Sequence, residues 1–243
     1  MIVLFTDFGQ PYVGQMHAVL QGAAPGVPVV ELCTDLPAWN RRAAAYLLPA
    51  FAAAFPTGSV FLAVVDPGVG SARAALALRA EGRWFVGPDN GLLGLVARRA
   101  GAPACWEVTW RPERLSASFH GRDLFAPVAA RLAGGATALP AELGRPIAFP
   151  QGADADWPDD LAEVVYVDGF GNVVTGLRAA CLPDAAQLAA GGRLFPRART
   201  FSDLAPGAAF WYENANGLAE IAVNRGRAAD ILELAVGDGV SVI

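Results

Sequence analysis

The first half of the chain alternates short apolar runs with helical stripes, and the second half alternates strand-like runs with turns. Ile2 to Phe5 is apolar and reads as a strand ended by Thr6-Asp7-Phe8-Gly9. Tyr12 to Ala23 puts Val13, Met16, Val19 and Leu20 on one stripe, which predicts a helix. Val27 to Leu32 predicts a second strand, and Arg41 to Phe55 a helix that Pro49 should kink or break. Phe61 to Val65 is unbroken apolar sequence, the pattern of a strand buried on both faces in a parallel sheet. Ala74 to Arg79 and Trp84 to Val86 predict two strands joined by a Glu81-Gly82 turn. Helices are predicted over Leu92 to Arg99 and Leu124 to Leu132, the second capped by Asp123 and ended by Gly134-Gly135.

From about Arg145 to Asp160 the periodicity stops, and Pro, Gly and Asp predominate, as in a linker. Beyond it lie Glu163 to Val167, Asn172 to Leu177, Arg193 to Phe195, Ala208 to Tyr212, Leu218 to Val223 and Val240 to Ile243. These short strands between turn residues predict a small antiparallel barrel or sandwich. The fold class is α/β. An N-terminal α/β domain with a mostly parallel central sheet spans residues 1–148, a linker 149–162, and a C-terminal β-barrel domain 163–243. A cleft between the domains is the default ligand site.

Composition narrows the class. Hydrophobic residues make up 54% of 243 and charged residues 17%, with a net charge of -5. That balance argues against a disordered chain and against nucleic acid as a partner. Cys33, Cys105 and Cys181 form no CxxC, and their unpaired count predicts small buried hydrophobes in a reducing cytoplasm. The N-terminus carries no basic region ahead of its apolar residues, so no secretory signal is predicted. Ala43 to Phe55 is too short to span a bilayer, which predicts a soluble protein with no membrane partner.

Candidate chemistry gathers where strands end. Asp66 closes the Phe61–Val65 strand, at the edge where open α/β sheets place ligands. Gly68 and Gly70 let the loop turn, and Arg73 is near enough to fold back on Asp66. Asp7 repeats the arrangement, either as a ligand residue or as a turn or capping aspartate. His17 reads as a surface or packing histidine, and Asp89 and Asn90 as helix caps or ligand groups. His120 precedes a helix and is structural unless it meets Asp66 and Arg73. Several known motifs are excluded. In DPGVGSAR, Arg73 stands where a dinucleotide fingerprint needs a third Gly or Ala, and no GKS or GKT follows. The DFG at residues 7–9 has no catalytic or Gly-rich loop before it, so it is no kinase magnesium motif. There is no HExxH, no His/Cys cluster and no GxSxG, so neither a metal site nor a serine nucleophile is predicted.

Six segments together resemble a known family. TDFG with YVG, VVDPGVGSAR, VGPDNGLL, SFHGRDLFAPVAA, DGFGNVVTG and GLAEIAVNRG are similar to the signature segments of the S-adenosylmethionine (SAM) hydroxide adenosyltransferases, relatives of the fluorinase and chlorinase. The resemblance implies an α/β domain, a C-terminal barrel, and a homotrimer with sites at subunit interfaces. It implies hydrolysis of SAM to adenosine and L-methionine, with SAM as substrate and no cofactor or metal. The positions matching Asp66, Arg73 and His120 hold and activate the water, and that matching Asp7, next to Phe8, binds the ribose hydroxyls. Trp39 falls beside the ribose, and Asp168 takes the methionine ammonium. Asn172, Phe201 and the backbone around Asn224 and Arg225 meet the adenine. Where relatives often carry a serine for the methionine carboxylate, this chain reads Asn214-Ala215-Asn216, which leaves Asn216 as the candidate contact. Cys33-Thr34-Asp35 also lacks the family's usual histidine at its middle position. Two alternatives stay open: a halogenase, which Asp66 disfavours by repelling a halide, and a non-catalytic SAM or adenosine sensor.

Overall fold

A computed structural model describes all 243 residues, which divide into two compact units, Met1–Asp156 and Trp157–Ile243. In the first unit β1 (Ile2–Thr6), α1 (Tyr12–Ala23), β2 (Val29–Cys33), α2 (Arg41–Ala52) and β3 (Val60–Val64) follow in order. A hairpin of β4 (Ala75–Ala80) and β5 (Arg83–Pro88) leads to α3 (Gly94–Arg99), β6 (Ala104–Val108), α4 (Ala126–Leu132) and β7 (Gly144–Ile147). The seven strands form one sheet in the order β2-β1-β3-β5-β4-β6-β7. β2, β1, β3 and β5 run parallel, whereas β4 is antiparallel to both β5 and β6. β6 therefore shares the direction of β5, and five strands of seven point one way. Every residue of β1 and β3 is buried, as unbroken apolar runs in the middle of such a sheet require.

Three local expectations are corrected. α2 runs through Pro49 to Ala52 with no break. Its Ala43, Ala44, Tyr46, Leu47 and Leu48 are buried, so packing holds the helix across the missing N–H. Residues 144–147 are an edge strand and not linker. Pro146 is accommodated there because β7 pairs only with β6. Asp123 does not cap a helix starting at Leu124. A π-helical turn over Gly121–Phe125 precedes α4, and the Asp123 carboxylate accepts from Ser116 N–H at 2.8 Å. The Glu81-Gly82 turn is as predicted, with both residues at positive φ.

The second unit holds β8 (Leu161–Val167), β9 (Val173–Arg178), β10 (Leu188–Ala190), β11 (Arg193–Phe195), β12 (Ala209–Glu213), β13 (Leu218–Val223), the short helix α5 (Ala228–Leu232) and β14 (Ser241–Val242). They form two antiparallel sheets, β12-β13-β9-β8 and β11-β10-β14. Single bridges, Glu163 with Gly239 and Arg197 with Trp211, join them at two corners. The expected barrel is thus two separate sheets around Trp211, Phe195, Ile221 and Leu188, and no continuous ladder closes it. No helix is long and apolar enough to cross a membrane. Cys33 and Cys105 are buried, with burial pushing both thiols up to about 12, so they behave as small hydrophobes. Cys181, by contrast, is exposed.

Candidate active site

The loop after β3 carries the chemistry. Val69 N–H donates to Asp66 C=O and Ser71 N–H to Gly68 C=O, and these successive turns reverse the chain within seven residues. Arg73 thereby returns onto Asp66 as a two-pronged pair, Nε to Oδ1 at 2.8 Å and Nη2 to Oδ2. The Asp66 side chain is 4% exposed and that of Arg73 9%, so water screens the pair little. Phe125 lies under the guanidinium, 5.3 Å from ring centroid to Cζ. Arg73 Nη2 also reaches His120 Nδ1 at 3.1 Å. The structure brings Asp66, Arg73 and His120 into one hydrogen-bonded group.

His120 is placed by its neighbours in the chain. It sits one residue before the π-turn, a local irregularity common where a helix serves a site. Desolvation and the Arg73 charge lower its pKa below the ordinary 6.5, so the ring is neutral at pH 7. Arg73 can only donate, so His120 Nδ1 must accept, and the ring hydrogen is on Nε2. His17, the other histidine, pairs with Glu31 at 2.7 Å away from this group.

Asp7, Phe8, Trp39, Asp66 and His120 line one cavity of about 500 Å³, together with Tyr12, Val64, Val69 and Phe119. Asp7 Oδ2 accepts from Trp39 N–H at 2.8 Å. Trp39 has φ 60°, a backbone state rare for a side-chain-bearing residue, and Asp7 holds it there. Asp7 thus does have a structural partner, and its remaining lone pairs are available to a ligand. Desolvation raises its pKa, as does the charge of Asp66, while the backbone bonds oppose the shift. Trp39 is 77% exposed. Tyr12 and Phe119 went unnoticed in sequence; with Phe8 they form an edge-to-face cluster whose spacing only the fold reveals. Asn90 holds the end of β3 through Val65 C=O at 2.9 Å and accepts from Leu92 N–H at 3.2 Å.

The remaining predicted residues lie in the second unit. Asp168, Asn172, Phe201, Asn216 and Arg225 line a cavity of about 780 Å³ there. Asp168 Oδ1 accepts from the N–H groups of Phe170 and Asn172, which builds the turn between β8 and β9. Phe201 stands edge-on to Phe210 and Tyr212. Asn224 is absent from this lining. Its side chain donates to Leu204 C=O, its N–H to Ala208 C=O, and its C=O accepts from Gly207. Arg225 has φ 60°. Tyr212 and Glu220, both unremarked in sequence, also line the cavity and are hydrogen-bonded at 2.5 Å.

Comparison with known proteins gives a consistent picture. The family model described as SAM hydroxide adenosyltransferase N-terminal domain matches residues 2–142, and that of the C-terminal domain matches 162–241. The chain is 42% identical to "(R)-S-adenosyl-L-methionine hydrolase" of Thermus thermophilus, covering 100% of this chain and 99% of that protein. It is 41% identical to the protein of the same name from Salinispora arenicola, over 98% and 95%. "Fluorinase" of Nocardia brasiliensis is more distant, 26% identical over 100% and 96%. A crystal structure of an uncharacterized conserved protein from Thermotoga maritima superposes with a TM-score of 0.86 at 31% identity, covering all of both chains.

Proposed function

The chain belongs to the SAM hydroxide adenosyltransferase family, and on that premise we propose its reaction in full: hydrolysis of SAM to adenosine and L-methionine by a water that Asp66, Arg73 and His120 hold. The enzyme is a SAM hydrolase. The observation that supports the residue roles is the hydrogen-bonded Asp66–Arg73–His120 group, of which Asp66 and His120 line the same cavity as Asp7. Water oxygen bonds to C5′ of the ribose, the C5′–S bond breaks with its electron pair going to sulfur, methionine leaves as a neutral thioether, and one proton of the water is released to solvent. No general acid is needed at the leaving group. A nucleophile moving towards hydroxide and a sulfonium cancel charge as they meet, so a sheltered cavity favours the step.

Arg73 supplies the positive charge that lowers the pKa of the water. His120, with hydrogen on Nε2, donates and orients. Asp66 is the acceptor among the three, each carboxylate oxygen having a lone pair beyond the one that Arg73 uses. No cofactor enters this scheme, and EDTA should leave turnover unchanged. Asp7 binds the ribose hydroxyls beside Phe8 and Trp39. Asp168, Asn172, Phe201, Asn216 and Arg225 receive the adenine and the amino-acid end. From the family resemblance, the assembly is a homotrimer with its sites at the interfaces between neighbouring subunits. Three free thiols fit a reducing, cytoplasmic setting.

The epimer in the relatives' names, (R)-S-adenosyl-L-methionine, is proposed as the preferred substrate here too. Incubation with each SAM epimer, followed by chromatography for adenosine, tests the reaction and this preference together. Adenosine from the (R) epimer in chloride buffer supports hydrolysis. 5′-Chloroadenosine as the main product would instead support the halogenase reading.

A further inference from the structure

Glu220 lies on β13 with only 4% of its surface exposed, and none of the proposed roles uses it. Its carboxylate is held by neutral donors. Tyr212 O–H donates to Oε1 at 2.5 Å and Asn214 Nδ2 to Oε2 at 2.8 Å, and Asn172 also hydrogen-bonds it. A buried carboxylate held only by such donors is unfavourable unless it organises something. Here it organises the turn between β12 and β13. Asn214 Oδ1 accepts from the N–H groups of Asn216 at 2.9 Å and Leu218 at 3.0 Å, and Gly217 N–H closes the turn on Asn214 C=O. The side chain of Asn214 is thus taken up inside the protein: one end fixes the turn, and the other is fixed by Glu220. Asn214, Ala215 and Asn216 all line the cavity, and with the Asn214 side chain taken up in the turn, Asn216 is the polar side chain the turn offers to it.

We infer that Glu220 is a positioning residue for the amino-acid end of the substrate, acting through Asn214 on the Asn216 turn and directly on the Tyr212 hydroxyl. The inference rests on the proposed placement of that end of SAM in this cavity. It explains how Asn214-Ala215-Asn216 can serve where relatives often use a serine: the first asparagine is scaffold, and the second is the contact.

The test uses Glu220→Gln in the full-length enzyme. An amide offers one acceptor where the carboxylate offers two, so it keeps the Asn214 bond only by turning its Nε2 towards Tyr212, whose hydroxyl must then accept instead of donate, and in either arrangement both charge-assisted bonds are lost. The KM for SAM should rise about tenfold, the worth of one hydrogen bond to a charged group, with kcat within about threefold of wild type. Methionine should inhibit about tenfold more weakly, and adenosine should inhibit as before. The double variant Glu220→Gln with Asn214→Asp reverses the donor and the acceptor and keeps the Oδ1 contacts to residues 216 and 218. It should return KM to within about threefold of wild type, even if the single variant is too unstable to assay. A folded single variant with unchanged KM would overturn the inference. So would equal weakening of methionine and adenosine, or a folded double variant whose KM stays high. A wild-type enzyme that cleaves SAM yet is not inhibited by methionine would strike the placement of the amino-acid end instead, and the inference with it.

Discussion

Arg73 Nη2 lies 3.1 Å from Nδ1 of His120, and because a guanidinium cannot accept, this contact assigns the histidine's tautomer. It also settles the sign of the pH dependence. Protonating Nδ1 would remove the acceptor and set two cations against each other, so desolvation and the Arg73 charge both lower the His120 pKa below 6.5. The folded protein therefore binds this proton less readily than the unfolded chain. The stability linked to His120 is full above pH 6.5 and declines as pH falls from 6.5 towards the lower folded value. The imidazole resonances of His120, followed by NMR against pH, should titrate with a midpoint below 6.5. In Arg73→Met that midpoint should move up towards the ordinary value. A midpoint above 6.5 in the wild type would contradict the Nδ1 contact.

Gly70 joins the two loops that make the site. Its φ is +81°, and a Cβ added there would stand 2.5 Å from the carbonyl oxygen of Ala117, three residues before His120. Gly70→Ala should therefore separate the Asp66–Arg73 loop from the His120 loop. The left-handed conformation alone costs a side-chain-bearing residue about 1–2 kcal/mol. Turnover should fall about tenfold or more, because misplaced reacting groups lose rate steeply. Thermal unfolding and steady-state kinetics on the same preparation check both effects. Unchanged kinetics would mean that the two loops need not touch.

Asp7→Asn tests the ribose contact. Asparagine Oδ1 can still accept from Trp39 N–H, so the strained turn should survive while the charge is lost. Adenosine affinity should weaken by roughly 1.5–3 kcal/mol, the worth of hydrogen bonds to a charged group. Calorimetry with adenosine reads this directly. Unchanged affinity would leave Asp7 with only its turn role.

Much of the first unit was legible because its strands are continuous apolar runs and α1 a clear stripe. α1 spans the predicted residues, and β3 differs from its predicted run by one residue at each end. The Asp66–Arg73 return was legible too, since Pro and Gly in DPGVG force the turns. What failed were features set by tertiary context. The edge strand β7 carries Arg145 and Pro146 and reads as linker until β6 lies beside it. α2 survives Pro49 because its buried face outweighs one lost bond. Tyr12 and Phe119 share a cavity through the packing of α1 against the loop before α4, a relation no spacing encodes. Glu220 looked like one polar residue in a strand, and only its pairing across β12 and the following turn gives it a role.

Substitution of the three water-holding residues reaches the centre of the proposal. If Asp66, Arg73 and His120 act as a unit, each change to alanine should lower turnover by about 100-fold or more, and a second change should add little. Stability must be separated from chemistry for two of them. Arg73→Ala strands a carboxylate that is 4% exposed, and Asp66→Ala strands its guanidinium, and breaking such a pair typically destabilises by about 3–5 kcal/mol. The Asp66→Ala/Arg73→Ala protein removes both charges and should be more stable than either single variant, yet no more active. His120→Ala leaves the ion pair in place and is the cleanest probe. Its melting temperature should stay near that of the wild type while turnover collapses, and adenosine affinity should change little. Reaction in oxygen-18 water should label the 5′ oxygen of adenosine. A His120→Ala enzyme with near-normal turnover, or losses that simply add across the double variants, would reduce Asp66 and Arg73 to a structural ion pair at a strand end and His120 to a loop histidine.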